Sequence, residues 1–183
     1  MAKDLLRDIS CKLLLKPLLR SGLSANKITV LNFLTLGLGA VVLFLTGHEL
    51  LGLLVACLAA IIDYCDGTVQ KIRVGHFTKL GAYLDTSLDW LWLQLLIYAI
   101  SYHNGILPFG CLAIIIIMWG NWVEYNGNVK MKMYFPFGLS HILLIGILLG
   151  CSNLSIMLIL FTQCIRVAIM YRRSVCKFLK ELQ

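Results

Sequence analysis

Residues 63–89 read DYCDGTVQKIRVGHFTKLGAYLDTSLD. Four carboxylates, Asp63, Asp66, Asp85 and Asp89, stand in a 183-residue chain that is 60% hydrophobic, with a mean hydropathy of +0.86. A soluble domain is about half apolar. The excess here comes in blocks long enough to cross a membrane, so the aspartates sit where leucines belong. An Asp at the centre of a membrane helix costs about 2.5–3.5 kcal/mol on insertion scales, and four would cost on the order of 10 kcal/mol. Whatever offsets that cost decides how the chain is read.

Working outward, the apolar blocks predict six spanning segments near 28–46, 50–70, 79–101, 106–124, 135–150 and 154–172. The breaks are TGHE, KIRVGHF, YHNG, YNGNVKMK and GCSN, all rich in Gly, Asn or charge. Upstream, KDLLRDISCKLLLKPLLR carries Lys3, Asp4, Arg7, Asp8, Lys12 and Lys16 on one helical face and Leu5, Leu6, Ile9, Leu13 and Leu14 on the other. That pattern predicts a helix lying in the membrane interface. The expected fold is all-α: an interfacial helix within 1–22 and a six-helix core over 26–175, in one membrane domain covering 1–183. The start of the chain has no continuous apolar stretch or small-residue cleavage site of a signal peptide. No internal repeat is evident. The seven cysteines form no C-x-x-C pair and read as small buried residues.

Charge orients the chain. With loops assigned alternately to the two sides, all 16 Lys and Arg fall on one side. Five or seven segments would break that segregation. By the positive-inside rule both termini are cytoplasmic. The net charge of +7 then belongs to one membrane face, suited to lipid headgroups or phosphate-bearing substrates. Topology alone explains a basic face, so nucleic acid is not an expected partner.

The second and third segments are antiparallel neighbours. At the helical rise, Asp66 lies roughly 7 Å and Asp63 roughly 12 Å below Lys71, while Asp85 lies roughly 9 Å and Asp89 roughly 15 Å below Lys79. Asp66 should therefore stand level with Asp85, and Asp63 with Asp89. Spacings of i,i+3 and i,i+4 put each pair on one helix face. Four carboxylates converging on the cytoplasmic side cannot all stay ionised unaided. Either some are protonated or cations sit among them. Carboxylates without a His or Cys pattern favour Mg²⁺ or Mn²⁺. Gly67 and Gly81 leave room for a close approach, and they also read as helix-packing contacts. Lys71, Arg73, His76 and Lys79 rim the pocket, as a pyrophosphate would require, and equally as positive-inside charges would.

At these residues the chain resembles the CDP-alcohol phosphotransferase family, whose motif runs D-x2-D-G-x2-A-R-x8-G-x3-D-x3-D. Asp63, Asp66 and Gly67 match its first part, and Gly81, Asp85 and Asp89 its last. Upstream, LSANKITVLNFL is similar to the family's P-N-x-x-T, with Ala25 in place of Pro. An interfacial helix followed by six membrane helices is also the family's fold. Three features depart from the pattern: Gln70-Lys71 replace A-R, the spacer has nine residues, and Trp90 follows the last Asp where the family often has Arg. Lys71 keeps a charge without the planar grip of Arg.

The resemblance implies a membrane transferase of phospholipid biosynthesis. A CDP-alcohol, usually CDP-diacylglycerol, gives its substituted phosphate to a hydroxyl of a small or lipid alcohol, and CMP leaves. By similarity, Asp63, Asp66 and Asp85 hold metal, and Asp89 both approaches metal and acts as general base. Asn26, Thr29, Gly67, Lys71 and Thr78, with Arg73 and Gly81, would line the nucleotide and pyrophosphate site. Thr78 also reads as an N-cap of the third segment. For the acceptor, Lys130, Lys132 and Arg166 lie on the same membrane face as the aspartates. Arg166 either meets an acceptor phosphate or snorkels to the interface. Glu124, with Asn121 and Asn126, either meets an amino-alcohol or caps a helix end. A homodimer is expected because the family commonly forms one. Two rival readings are a divalent-cation carrier, which should place carboxylates near the midplane, and a catalytically impaired family member. The location implied is a multi-pass membrane protein with its site on the cytoplasmic face, in the plasma membrane if the source is a prokaryote and in the endoplasmic reticulum if it is a eukaryote.

Overall fold

The computed structural model describes residues 16–75, 78–127 and 139–181. Among them every regular element is helical. α1 spans Lys16–Arg20, α2 Ala25–Leu45, α3 Glu49–Val74, α4 Lys79–His103, α5 Leu107–Gly127, α6 Leu139–Leu148 and α7 Ser152–Glu181. The chain forms two compact units, 1–93 and 94–183, whose boundary falls within α4. Most of the predicted interfacial helix, together with His76, Lys130 and Lys132, lies outside the described residues.

Among the described residues, three helices are long and apolar enough to cross a membrane: Ala25–Leu45, Glu49–Gln70 and Ser152–Arg173. Leu107–Val123 is apolar but shorter. α4 has the length, at 25 residues, yet Asp85, Asp89 and their polar neighbours dilute it. α6 has ten residues, which rise about 15 Å, half the hydrocarbon thickness.

In the first unit, α2 starts after Ser24, whose extended backbone (ψ 153°) lets its carbonyl accept from Ile28 N at 3.0 Å. A π-helical turn interrupts α2 over Phe33–Gly37. Such a wide turn leaves carbonyls open to side chains, and Trp92 Nε1 donates to Gly37 O at 3.2 Å. Gly37 packs closely here, since a Cβ there would just touch the Trp92 ring at 3.4 Å. α2 ends in a Schellman motif. Gly47 takes φ 81°, its N donates to Phe44 O, and His48 N donates to Leu43 O. α4 and α6 close the same way at Gly105 and Gly150, within the predicted breaks YHNG and GCSN. α2 and α3 pack through Ala40, Phe44, Leu53, Ala56 and Ala59, all buried. Gly52 would carry its Cβ 3.3 Å from the Phe44 ring, so its bare backbone is the seat for that ring.

The second unit packs α5 and α6 against α7 through Ala113, Ile117, Leu143, Ile156, Ile159 and Met170. Large apolar side chains such as Leu31, Leu54, Ile115, Trp122 and Phe161 stay exposed in both units. That is the pattern of helices whose outer faces meet lipid.

Candidate active site

The site is built from α2, α3 and the first turns of α4, all within the first unit. Each helix contributes through one face, because i,i+3 and i,i+4 neighbours share a side. From α3 come Asp63 and Asp66, and from α4 Asp85 and Asp89. Carboxylate oxygens of Asp63, Asp66 and Asp85 lie within 4.8 Å of one another. Oxygens sharing one hard divalent ion at about 2.1–2.4 Å stand no more than about 4–5 Å apart. The donor set and its spread therefore fit such an ion. Asp89 stands outside that group and is exposed. With Asp63 it lines a cleft of about 30 Å³, shared with Thr29, Asn32, Ala59, Leu88 and Trp92.

Burial grades the carboxylates. Asp66 is only 4% exposed, Asp63 and Asp85 are half-buried, and Asp89 is open. Thr29, from α2, donates its hydroxyl to Asp66 Oδ2. The same hydroxyl lies 3.1 Å from Ala25 O. It has one proton, so the two bonds are alternatives, and the α2 carbonyl stands ready whenever the carboxylate turns elsewhere. Among the described residues no hydrogen bond reaches Asp63, Asp85 or Asp89.

A second polar group forms around Gly81. Gln70, 7% exposed, donates from Nε2 to Thr78 Oγ1 at 2.8 Å, and Gly81 N donates to the same oxygen at 3.1 Å. Thr78 is thus the N-cap of α4 and also a partner of α3. A Cβ on Gly81 would stand 2.8 Å from Gln70 Nε2 and 2.9 Å from both Asn26 Oδ1 and Thr78 Oγ1. The glycine makes room for three converging polar side chains, more than for a helix crossing.

Asn26, Thr78 and Gly81 therefore stand together, while Thr29 stands with Asp66. Arg73 is not free for pyrophosphate: its guanidinium donates to Leu23 O, to Leu19 O at 2.7 Å and to Leu18 O at 3.3 Å. It closes the C-terminal carbonyls of α1, groups that otherwise lack helical partners. The Lys71 side chain and the surroundings of Gly67 lie outside the described residues.

In the second unit, Arg166 on α7 is 7% exposed and donates to Asn121 Oδ1 at 3.4 Å and to Gln163 Oε1 at 3.2 Å. Snorkelling would leave it exposed, and it is buried. Asn121 belongs to this amide pair. The side chains of Glu124 and Asn126 lie outside the described residues.

Sequence reasoning passed over Asn32. Its Nδ2 donates to Ala59 O at 2.9 Å, while its buried Oδ1 has no partner. A buried acceptor left unpaired costs about 1–3 kcal/mol. The available signal was an amide in the apolar run TVLNFL.

The CDP-alcohol phosphatidyltransferase family model matches residues 23–176. Comparison with curated proteins finds no match. Among solved structures, the phosphatidylinositol phosphate synthase of Mycobacterium tuberculosis with CDP-DAG bound aligns with a TM-score of 0.74 at 16% identity, covering 87% of this chain and 90% of that one. The same enzyme in complex with manganese and citrate gives 0.74 at 16% identity, over 87% and 86% of the two chains. Its apo form gives 0.73 at 18% identity, over 86% and 92%. At such identities the likeness concerns the fold, whereas the family match spans most of the sequence and takes in all four aspartates. The chain belongs to the CDP-alcohol phosphatidyltransferase family.

Proposed function

We propose that this chain transfers a phosphatidyl group from a CDP-alcohol, CDP-diacylglycerol in the first place, to the hydroxyl of an acceptor alcohol in phospholipid synthesis. The carrying observation is the Asp63–Asp66–Asp85 group with Asp89 beside it on an open cleft. Support also comes from the family match and from a structural neighbour that holds CDP-DAG in one crystal and manganese in another. Asp63, Asp66 and Asp85 would hold Mg²⁺ or Mn²⁺. When bound, the ion neutralises negative charge on the pyrophosphate and its developing leaving group.

The chain's own residues do the rest. Asn26, Thr29, Gly67, Lys71, Thr78 and Gly81 receive the nucleotide end. Asp89 is an exposed carboxylate and takes the proton of the attacking hydroxyl. The alcohol oxygen bonds to the lipid-side phosphorus. The phosphorus–oxygen bond to CMP breaks, and CMP leaves with the electron pair. Arg166, with Lys130 and Lys132, would meet a phosphate on the acceptor.

The same reading takes 1–183 as one catalytic domain with an interfacial helix in 1–22. It has six spans, cytoplasmic termini, the site on the cytoplasmic face and a homodimeric assembly. The family match supports it by running across both compact units.

Purified protein in lipid nanodiscs should release CMP from CDP-diacylglycerol in the presence of an acceptor and Mn²⁺ or Mg²⁺. The acceptor panel is glycerol 3-phosphate, inositol phosphate, inositol, serine and a lipid phosphate. Asp89→Asn should abolish release while donor binding persists. Unchanged release in Asp89→Asn would sink the base assignment. Silence of folded protein across the panel, with no donor binding, would favour the cation-carrier or impaired-enzyme reading.

A further inference from the structure

Asn32 lies about one helical turn beyond Thr29 on α2, and only 9% of it is exposed. The bond from Nδ2 to Ala59 O fixes the amide's orientation, since the nitrogen must face the carbonyl. Oδ1 is left as an acceptor without a donor. Among the described residues, the cleft that Asn32 shares with Asp63 and Asp89 shows no spare side-chain donor. The Thr29 hydroxyl goes to Asp66 or Ala25 O, and the Trp92 N–H goes to Gly37 O. With the two carboxylates ionised, the polar side-chain atoms that remain accept, Asn32 Oδ1 among them. A substrate hydroxyl can bring the donor they lack.

The attacking hydroxyl cannot supply all of it. It has one proton, and that proton goes to Asp89. We propose that Asn32 is a specificity-determining residue that accepts a hydrogen bond from a second hydroxyl on the acceptor, on the carbon next to the one that bears the nucleophilic oxygen. The substrate class is then a vicinal polyol. The cleft, at about 30 Å³, is small and open, so the edge of such a molecule can enter it. A neighbouring ammonium is a poorer fit. It would give up hydration among Phe33, Leu88 and Trp92, where a neutral hydroxyl loses less. A buried acceptor also discriminates strongly, because an analogue lacking the hydroxyl leaves it unpaired.

This inference rests on the transferase reading, and one experiment separates them. CMP release is measured with CDP-diacylglycerol and Mn²⁺ on acceptor pairs that differ in one neighbouring hydroxyl. The pairs are glycerol 3-phosphate against 3-hydroxypropyl phosphate, and cyclohexane-1,2-diol against cyclohexanol, with serine and ethanolamine alongside. The full-length protein should prefer the diol of a pair by about tenfold to a hundredfold in kcat/KM. Asn32→Leu keeps the size of the side chain and removes the acceptor. It should lower kcat/KM for the diol more than for its partner, bringing the ratio near one, with no fall in Tm. A purely structural Asn32 would instead lower Tm and leave the ratio intact, which overturns the proposal. Equal rates within each pair, or preference for the amino-alcohols, overturn it too while the transferase stands. Absence of CMP release from every acceptor removes both.

Discussion

The two units bury charge in opposite ways. In the first, carboxylates of one sign converge: Asp66 is nearly enclosed, and Asp63 and Asp85 offer oxygens within 4.8 Å of it and of each other. In the second, a single cation, Arg166, is set between amide oxygens of Gln163 and Asn121, and Gln163 is itself only 1% exposed. An Arg holding amide acceptors settles much of its own desolvation cost within the protein. Crowded carboxylates are harder to settle from within, since each added group raises the repulsion. The first arrangement asks for an external cation. The second can stand as structure or receive an anion. Variants at the two places should therefore fail differently.

The largest effect is expected at the aspartates. Asp85→Asn should cut CMP release by at least about a thousandfold, in the upper range for removing a group that acts directly in catalysis. Chelation of divalent ions should do the same to the unaltered protein, and added Mn²⁺ should restore it. Removing one of several crowded like charges relieves repulsion, so the Tm of metal-free Asp85→Asn should match or exceed that of the metal-free parent. A lower Tm with activity retained would mean that the cluster is structural after all, and the contrast between the units would collapse.

Arg166→Gln sharpens the contrast from the other side. If the guanidinium meets an acceptor phosphate, KM for a phosphorylated acceptor should rise by roughly tenfold to a hundredfold, as for a lost charge-assisted contact of about 1.5–3 kcal/mol. KM for CDP-diacylglycerol should stay constant. Should Tm fall while both KM values hold, Arg166 belongs to the packing of α5 against α7 and the acceptor phosphate is met elsewhere.

What the sequence disclosed follows the range of each signal. Helix rise and the 3.6-residue period are local and stiff, so the gathering of Asp63, Asp66 and Asp85 could be placed from spacing alone. The breaks at Gly47, Gly105 and Gly150 were legible because a Schellman closure needs the left-handed backbone that glycine provides. Contacts between elements distant in sequence were not legible. Arg73 looks like a pyrophosphate ligand by its position in the basic loop, yet carbonyls some fifty residues upstream claim its guanidinium. The partnership of Trp92 with a π-helical turn has no local signature. Asn32 reads as one polar residue in an apolar helix until the Ala59 carbonyl shows which way its amide turns.

Smaller effects are expected around Gly81, where the crowding atoms are tips of side chains. Gly81→Ala should displace Asn26, Gln70 and Thr78 together and raise KM for CDP-diacylglycerol by about tenfold, equivalent to about 1.4 kcal/mol. Its kcat should change less, because the carboxylates stay in place. Unchanged kinetics would show that these side chains yield without consequence to the donor.

Gln70 gives the mildest and most selective test. It stands where the family pattern has alanine, so Gln70→Ala restores the common residue and removes one neutral hydrogen bond to Thr78. A neutral hydrogen bond is worth about 0.5–1.5 kcal/mol. Thr78 keeps its bond from Gly81 N, so α4 stays capped and Tm should move little. If the bridge from α3 holds Thr78 toward the nucleotide, KM for the CDP donor should rise about two- to tenfold with kcat nearly constant. A fall in KM would carry the opposite meaning. Gln70 would then be occupying space that the donor uses, and its departure from the family pattern would restrain binding where the aspartates on the same helix promote the reaction.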